Sequence, residues 1–138
     1  MRTVTVSIAR TVEDCWNAFV DHTAWLRWVP GLRSAELVEF DLGALPREVR
    51  FLFGSGLEYS LLYSYEPANR LVHWEPAGGE GRRTGVTGYA SFRAGEDGTT
   101  ELEYAIDHEP DRKAAERALD NPQQVAEAFA RYMHEDRP

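Results

Sequence analysis

The sequence predicts an α+β fold: a seven-stranded antiparallel sheet, two short helices after the first strand, and a C-terminal helix lying on the sheet. Three observations carry this. Apolar side chains alternate strictly over residues 3–8, their period turns helical through residue 28, and from about 32 to 108 it is mostly two. After Pro110 the helical period returns.

In the first strand Val4, Val6 and Ile8 share one side against Thr3, Thr5 and Ser7. Thr11 and Asp14 have the form of a capping box, and Val12, Cys15, Trp16 and Phe19 then fall at i, i+3, i+4 and i+7. A second short helix runs through Trp25 and Trp28, capped by Asp21 or Thr23 and ended by Pro30-Gly31.

Five turn signals then divide the period-two region into six strands: Asp41-Leu42-Gly43, Gly54-Ser55-Gly56, Glu66-Pro67-Ala68-Asn69, Gly78-Gly79-Glu80-Gly81 and Glu96-Asp97-Gly98. Loops this short join antiparallel neighbours, so the strands form a meander, with the N-terminal strand at an edge or closing position. The C-terminal segment 111–135 is split by Asp120-Asn121-Pro122, an N-cap followed by proline. Its first piece has a weak stripe of Ala115, Ala118 and Leu119; the second has a better one of Val125, Ala128, Phe129, Tyr132 and Met133.

At 138 residues the chain has the length of one domain, read here as 1–138, and its four tryptophans, six tyrosines and six phenylalanines supply a substantial core. A formal charge of -8, with no basic cluster beyond Arg82-Arg83, argues against nucleic acid and anionic membranes as partners. No apolar run is long enough for a transmembrane helix and no signal-peptide pattern precedes Thr3, so integral membrane association is not expected and a cytoplasmic location is. Cys15 is alone and on the apolar helix face, where it reads as a small buried hydrophobe.

Two segments carry a family resemblance. VSIARTVEDCWNAFVDHTAWLRWVPGL has a strand, a capped helix and an Asp-x-x-x-Trp-x-x-Trp-x-Pro-Gly turn; YEPANRLVHWE and DGTTELEYAIDHEP supply a Pro-containing turn and a Gly-Thr lead-in to later strands. Over residues 3 to about 110 the chain resembles START-like (SRPBCC) proteins. The resemblance implies a helix-grip fold, in which a curved sheet wraps the last helix around a deep cavity. It also implies a range of functions, from lipid carriers and polyketide cyclases to receptors and chaperone activators. The family's last helix is usually long and continuous, and here it is broken at Asp120-Asn121-Pro122.

Strand parity identifies what would line such a cavity. Val49, Phe51 and Phe53 share a face on the third strand, Tyr59, Leu61, Tyr63 and Tyr65 on the fourth, and Val72 and Trp74 on the fifth. Val86, Gly88, Ala90 and Phe92 follow on the sixth, and Leu102, Tyr104 and Ile106 on the last, while Phe129, Tyr132 and Met133 face them from the helix.

A buried face holding several phenols implies a wet or occupied interior, or else rim tyrosines bonded to backbone carbonyls. Trp16, Trp25 and Trp28 read as plugs at the sheet's end, and Trp74 as a wall residue. Arg47 has the parity of Val49 and Phe51, and reads either as a cationic group at the mouth or as a snorkelling surface side chain. The opposite face, with Arg50, Glu58, His73, Glu101 and Glu103, reads as solvated and charge-paired.

The candidate ligand-binding residues are therefore Arg47, Phe51, Tyr59, Tyr63, Tyr65, Trp74, Tyr104, Phe129 and Tyr132. Catalytic residues, cofactors and metal ligands are not indicated: the four histidines are scattered, and nucleophile-elbow, P-loop and dinucleotide motifs are missing. The leading expectation is binding or carriage of a hydrophobic or aromatic small molecule. A polyketide cyclase/dehydratase-type enzyme and a protein-binding regulatory module are the alternatives.

Overall fold

The computed structural model describes residues 2–77, 86–108 and 121–136. The predicted turn at Gly78-Gly79-Glu80-Gly81, Arg82-Arg83, Pro110 and the stripe of Ala115, Ala118 and Leu119 lie outside the described residues.

β1 (Arg2–Ile8) leads into α1 (Val12–Phe19), a 3-10 turn at His22–Ala24 and the single-turn α2 (Trp25–Trp28). Six strands follow: β2 (Leu32–Phe40), β3 (Pro46–Phe53), β4 (Glu58–Glu66), β5 (Leu71–Pro76), β6 (Val86–Ala94) and β7 (Thr100–His108). The chain then forms α3 (Pro122–Arg131), extended by a wider π turn over Tyr132–Asp136.

All seven strands belong to one antiparallel sheet in the order β1-β7-β6-β5-β4-β3-β2, so the meander holds and β1 takes an edge beside β7. β2 forms the other edge, with register shifts against β3.

Local chemistry explains the helix starts. The Thr11 side chain accepts from the Asp14 N–H at 3.2 Å, and Asp21 Oδ1 accepts from the Thr23 N–H at 3.0 Å. Asn121 Oδ1 accepts from the N–H groups of Gln123 and Gln124, with Pro122 in the first helical turn. α1 buries Cys15, Trp16, Ala18 and Phe19, and α3 buries Val125, Ala126 and Phe129.

The far end of α3 is tied to the turn after β1. Ala9 donates its N–H to His134 Nε2 at 2.9 Å, and Arg10 Nη1 donates to the Met133 carbonyl at 3.0 Å. Thr100, fully buried, donates its hydroxyl to the Arg10 carbonyl at 2.7 Å. These bonds set α3 across β1 and β7, and the core lies between the helices and one face of the sheet.

The other face is charged and paired across strands. Arg50 meets Glu58 at 2.5 Å, Arg93 meets Glu101 at 3.0 Å, and the Tyr89 hydroxyl donates to Glu103 at 2.6 Å. The bond to Glu103 holds the Tyr89 pKa above its ordinary value, with a smaller contribution from burial.

Candidate functional site

Between the inner sheet face and the helices lies a cavity of about 70 Å³. The sheet supplies Phe51 and Phe53 from β3, Tyr59, Leu61 and Tyr63 from β4, Trp74 from β5, Val86 from β6, and Tyr104 and Ile106 from β7. Phe19 closes it from α1, Trp25 and Trp28 from α2, Val29 from the following turn, and Val125 from α3. Val29 and Tyr63 are the lining residues that solvent reaches appreciably; the others are buried.

This hollow is much smaller than the deep cavity expected from the sequence. Pockets for drug-sized ligands run to roughly 300–1,000 Å³. The reason is aromatic filling from the helices. Trp25 stacks on Phe51 at 5.6 Å and lies 5.4 Å from Tyr63, while Phe19 packs at 5.3 Å against both Phe92 and Phe129. Trp28 meets Phe129 edge-on at 4.9 Å. A guest with several rings has to displace some of these side chains.

The polar atoms in this wall differ in how they are satisfied. Trp25 Nε1 donates to the Phe19 carbonyl at 2.8 Å, and the Tyr65 hydroxyl donates to the Pro46 carbonyl at 2.5 Å. Among the described residues the Tyr63 hydroxyl makes no hydrogen bond, although its ring stacks on Tyr65 at 6.2 Å. Trp28 Nε1 is buried and meets no acceptor among the described residues.

Burial pushes the Tyr63 pKa well above its usual value, and the neighbouring phenols of Tyr65 and Tyr104 add to the effect. Tyr65 is raised as well, first by burial and then by the charge of Asp41. Both are neutral donors at physiological pH. No carboxylate, imidazole, ammonium, guanidinium or thiol stands among the described lining residues. What the wall offers a guest is aromatic surface and the N–H and O–H groups of its indoles and phenols.

Of the residues singled out from sequence, Phe51, Tyr59, Tyr63, Trp74 and Tyr104 stand together on this wall. Tyr65 lies beside it, with its hydroxyl spent on Pro46 and its ring edge-on to Trp16 at 6.4 Å. Phe129 and Tyr132 are buried behind the wall in the core under α3. Arg47 sits at the β2–β3 hairpin, 55% exposed and 3.3 Å from Glu39, beside a surface hollow lined by Phe40, Asp41 and Leu42. The alternation shared with Val49 and Phe51 does not extend to this end of β3, where Arg47 is exposed and Pro46 before it is fully buried.

Sequence reasoning missed Trp25 and Trp28, which it took for plugs and which form wall. Their spacing of three residues on one short helix, facing a tyrosine-rich strand, was the available signal. Among the described residues no group of three His, Cys, Asp or Glu side chains is arranged to hold a metal, and no helix is long and apolar enough to cross a membrane.

Among curated proteins no sequence relative of significant similarity is found. Solved structures show extensive likeness at low identity. A START superfamily protein from Mycobacterium smegmatis is 17% identical with a TM-score of 0.80, the match covering 99% of this chain and 98% of that one. The aromatase/cyclase ZhuI from Streptomyces sp. R1128 is 16% identical with a TM-score of 0.67, covering 96% and 93%. The di-domain aromatase/cyclase StfQ of the steffimycin biosynthetic pathway is 15% identical with a TM-score of 0.74, covering 99% of this chain and 46% of that one. These likenesses establish the helix-grip fold. The family model described as polyketide cyclase / dehydrase and lipid transport matches residues 1–136, and the chain belongs to that family.

Proposed function

We propose that the chain, working as a single domain over residues 1–138, is a cyclase or dehydratase of the polyketide type acting on a compact keto-bearing molecule. The observation that carries this reading is Tyr63: a neutral phenol whose hydroxyl has no hydrogen-bond partner among the described residues, on an apolar wall that solvent reaches at that point. In such a site a phenol hydrogen-bonds a carbonyl oxygen and stabilises the negative charge that develops as it enolises or is attacked. The rings of Trp25, Phe51 and Trp74 surround Tyr63 with centroids at 5.4, 6.5 and 6.1 Å, and once displaced to admit a guest they would hold a reactive chain folded against it. Two of the similar structures are aromatase/cyclases, which favours chemistry over simple carriage.

The test is a short poly-β-keto thioester incubated with native protein and with Tyr63→Phe. Native protein shifts the product distribution away from the spontaneous one, and Tyr63→Phe returns it toward that background. Identical distributions with and without protein overturn the reading.

Carriage of a hydrophobic or aromatic molecule is the second reading. It is favoured by the lack of any base among the described lining residues. A bound small molecule in native mass spectra, released unchanged, supports it.

A further inference from the structure

We infer that Trp28 Nε1 is the anchoring donor of the site, and that its ligand is a neutral molecule presenting a carbonyl or ether oxygen there, not a hydrocarbon or a carboxylate. The inference rests on the cavity being a ligand site, as proposed above, and adds to it the chemistry of the guest.

Trp25 and Trp28 lie one helical turn apart and both line the cavity. Trp25 Nε1 is satisfied by the Phe19 carbonyl. Trp28, 7% exposed, is the residue whose buried polar side-chain atom has no partner among the described residues. The two rings packed against it, Phe19 at 5.5 Å and Phe129 at 4.9 Å, carry no lone-pair acceptor atom.

Native proteins leave few buried N–H groups bare, and an exception points to a strained, functional or externally satisfied group. An indole is a donor with no acceptor capacity, so its complement is an oxygen or nitrogen lone pair. A carboxylate would bring such a lone pair, but it would also bring a charge that nothing on the described wall balances. A hydrocarbon would fill space and leave the N–H unpaired. A ketone, ester or ether oxygen meets both demands. In the folded chain the hollow of about 70 Å³ is below the roughly 150 Å³ that admits benzene in a dry protein cavity. A ring-bearing guest therefore moves a wall side chain, and Tyr63 and Val29 are the ones with access to solvent.

The experiment compares acetophenone with α-methylstyrene, nearly the same shape with a methylene in place of the carbonyl oxygen, and with benzoate. Each is titrated into native protein and into Trp28→Phe while the indole N–H resonances are followed by NMR. Acetophenone is expected to bind native protein roughly tenfold more tightly than α-methylstyrene, the worth of one buried hydrogen bond. It should shift one indole resonance, absent from Trp28→Phe, and that variant should reduce the preference to about twofold or less. Benzoate should not bind measurably.

Equal affinity of native protein for acetophenone and α-methylstyrene overturns the anchor while leaving an apolar cavity that binds guests. The same result would follow if the Trp28 N–H were spent on the Phe129 ring. Tight binding of benzoate also overturns it. If neither neutral probe binds, the anchor and the cavity reading fall together. Should Trp28→Phe fail to fold, Tyr63→Phe decides the matter: it should keep the native preference for acetophenone, and loss of the preference there would move the anchor to the Tyr63 hydroxyl and overturn the assignment to Trp28.

Discussion

The indole of Trp74 lies against Gly88 on the neighbouring strand, so closely that a Cβ at Gly88 would stand 2.8 Å from Trp74 Nε1 and overlap the Ala105 carbonyl oxygen. The missing side chain on β6 makes room for the ring on β5, which in turn packs against Tyr104 at 5.3 Å and Tyr63 at 6.1 Å. Gly88 thus sets the position of one cavity wall. Gly88→Ala is expected to destabilise the protein by about 1–3 kcal/mol, the usual cost of overpacking. Urea denaturation checks this, and a shifted tryptophan emission should accompany it. Unchanged stability would mean that both the Trp74 ring and the Ala105 carbonyl on β7 have free room to retreat.

Tyr63 and Tyr65 are stacked neighbours on one strand face with opposite fates. Tyr65→Phe strips the Pro46 carbonyl of its donor and should cost about 1–2 kcal/mol. Tyr63→Phe removes no hydrogen bond to the described residues and should change stability by less than about 0.5 kcal/mol, while altering what the cavity does with a keto substrate. Parallel denaturant titrations separate them. Equal costs would show that the Tyr63 hydroxyl has a structural partner after all.

The same pair makes stability sensitive to alkali. Both phenols are raised by burial in the folded chain, whereas in the unfolded chain they ionise near their ordinary value of about 10. Below that pH both states hold the proton and these groups add no pH dependence. Above it the unfolded state loses protons first, so stability falls as pH rises from about 10 toward the raised folded values. The double variant Y63F/Y65F should flatten the fall measured by urea titration between about pH 9 and 11. An unchanged slope would assign the alkaline loss to other groups.

Strand parity placed Phe51, Tyr59, Tyr63, Trp74 and Tyr104 on one wall because a period of two leaves only two faces to choose between. The same reasoning could not separate Tyr63 from Tyr65. Their difference depends on the Pro46 carbonyl, nineteen residues earlier on an adjoining strand. Nor could it size the cavity, which is set by how the rings of Phe19, Trp25 and Trp28 enter from helices with no fixed register to the sheet. Arg47 shows where parity stops: at the start of β3, beside the register shifts against β2, Pro46 is buried and Arg47 exposed, against the alternation that holds from Val49 onward.

The last prediction concerns the tie between the end of α3 and the sheet. Thr100 opens β7, is fully buried, and donates its hydroxyl to the carbonyl of Arg10. The Arg10 guanidinium in turn reaches Asp14 at 3.2 Å and the Met133 carbonyl at 3.0 Å, and the adjacent Ala9 N–H bonds His134. One hydroxyl therefore helps to place the turn that holds the helix end. Thr100→Val keeps the shape and deletes the donor, which should cost about 1–3 kcal/mol because a carbonyl in a part-buried turn loses its short bond. Hydrogen exchange at the Ala9 amide and over Phe129–Met133 should quicken relative to the middle of β6, since the loss falls on this contact first. Thr100→Ser retains the hydroxyl and should recover most of the protection despite the missing methyl. If Ser and Val cost the same and exchange alike, packing at Thr100 and not its hydrogen bond holds the helix end in place.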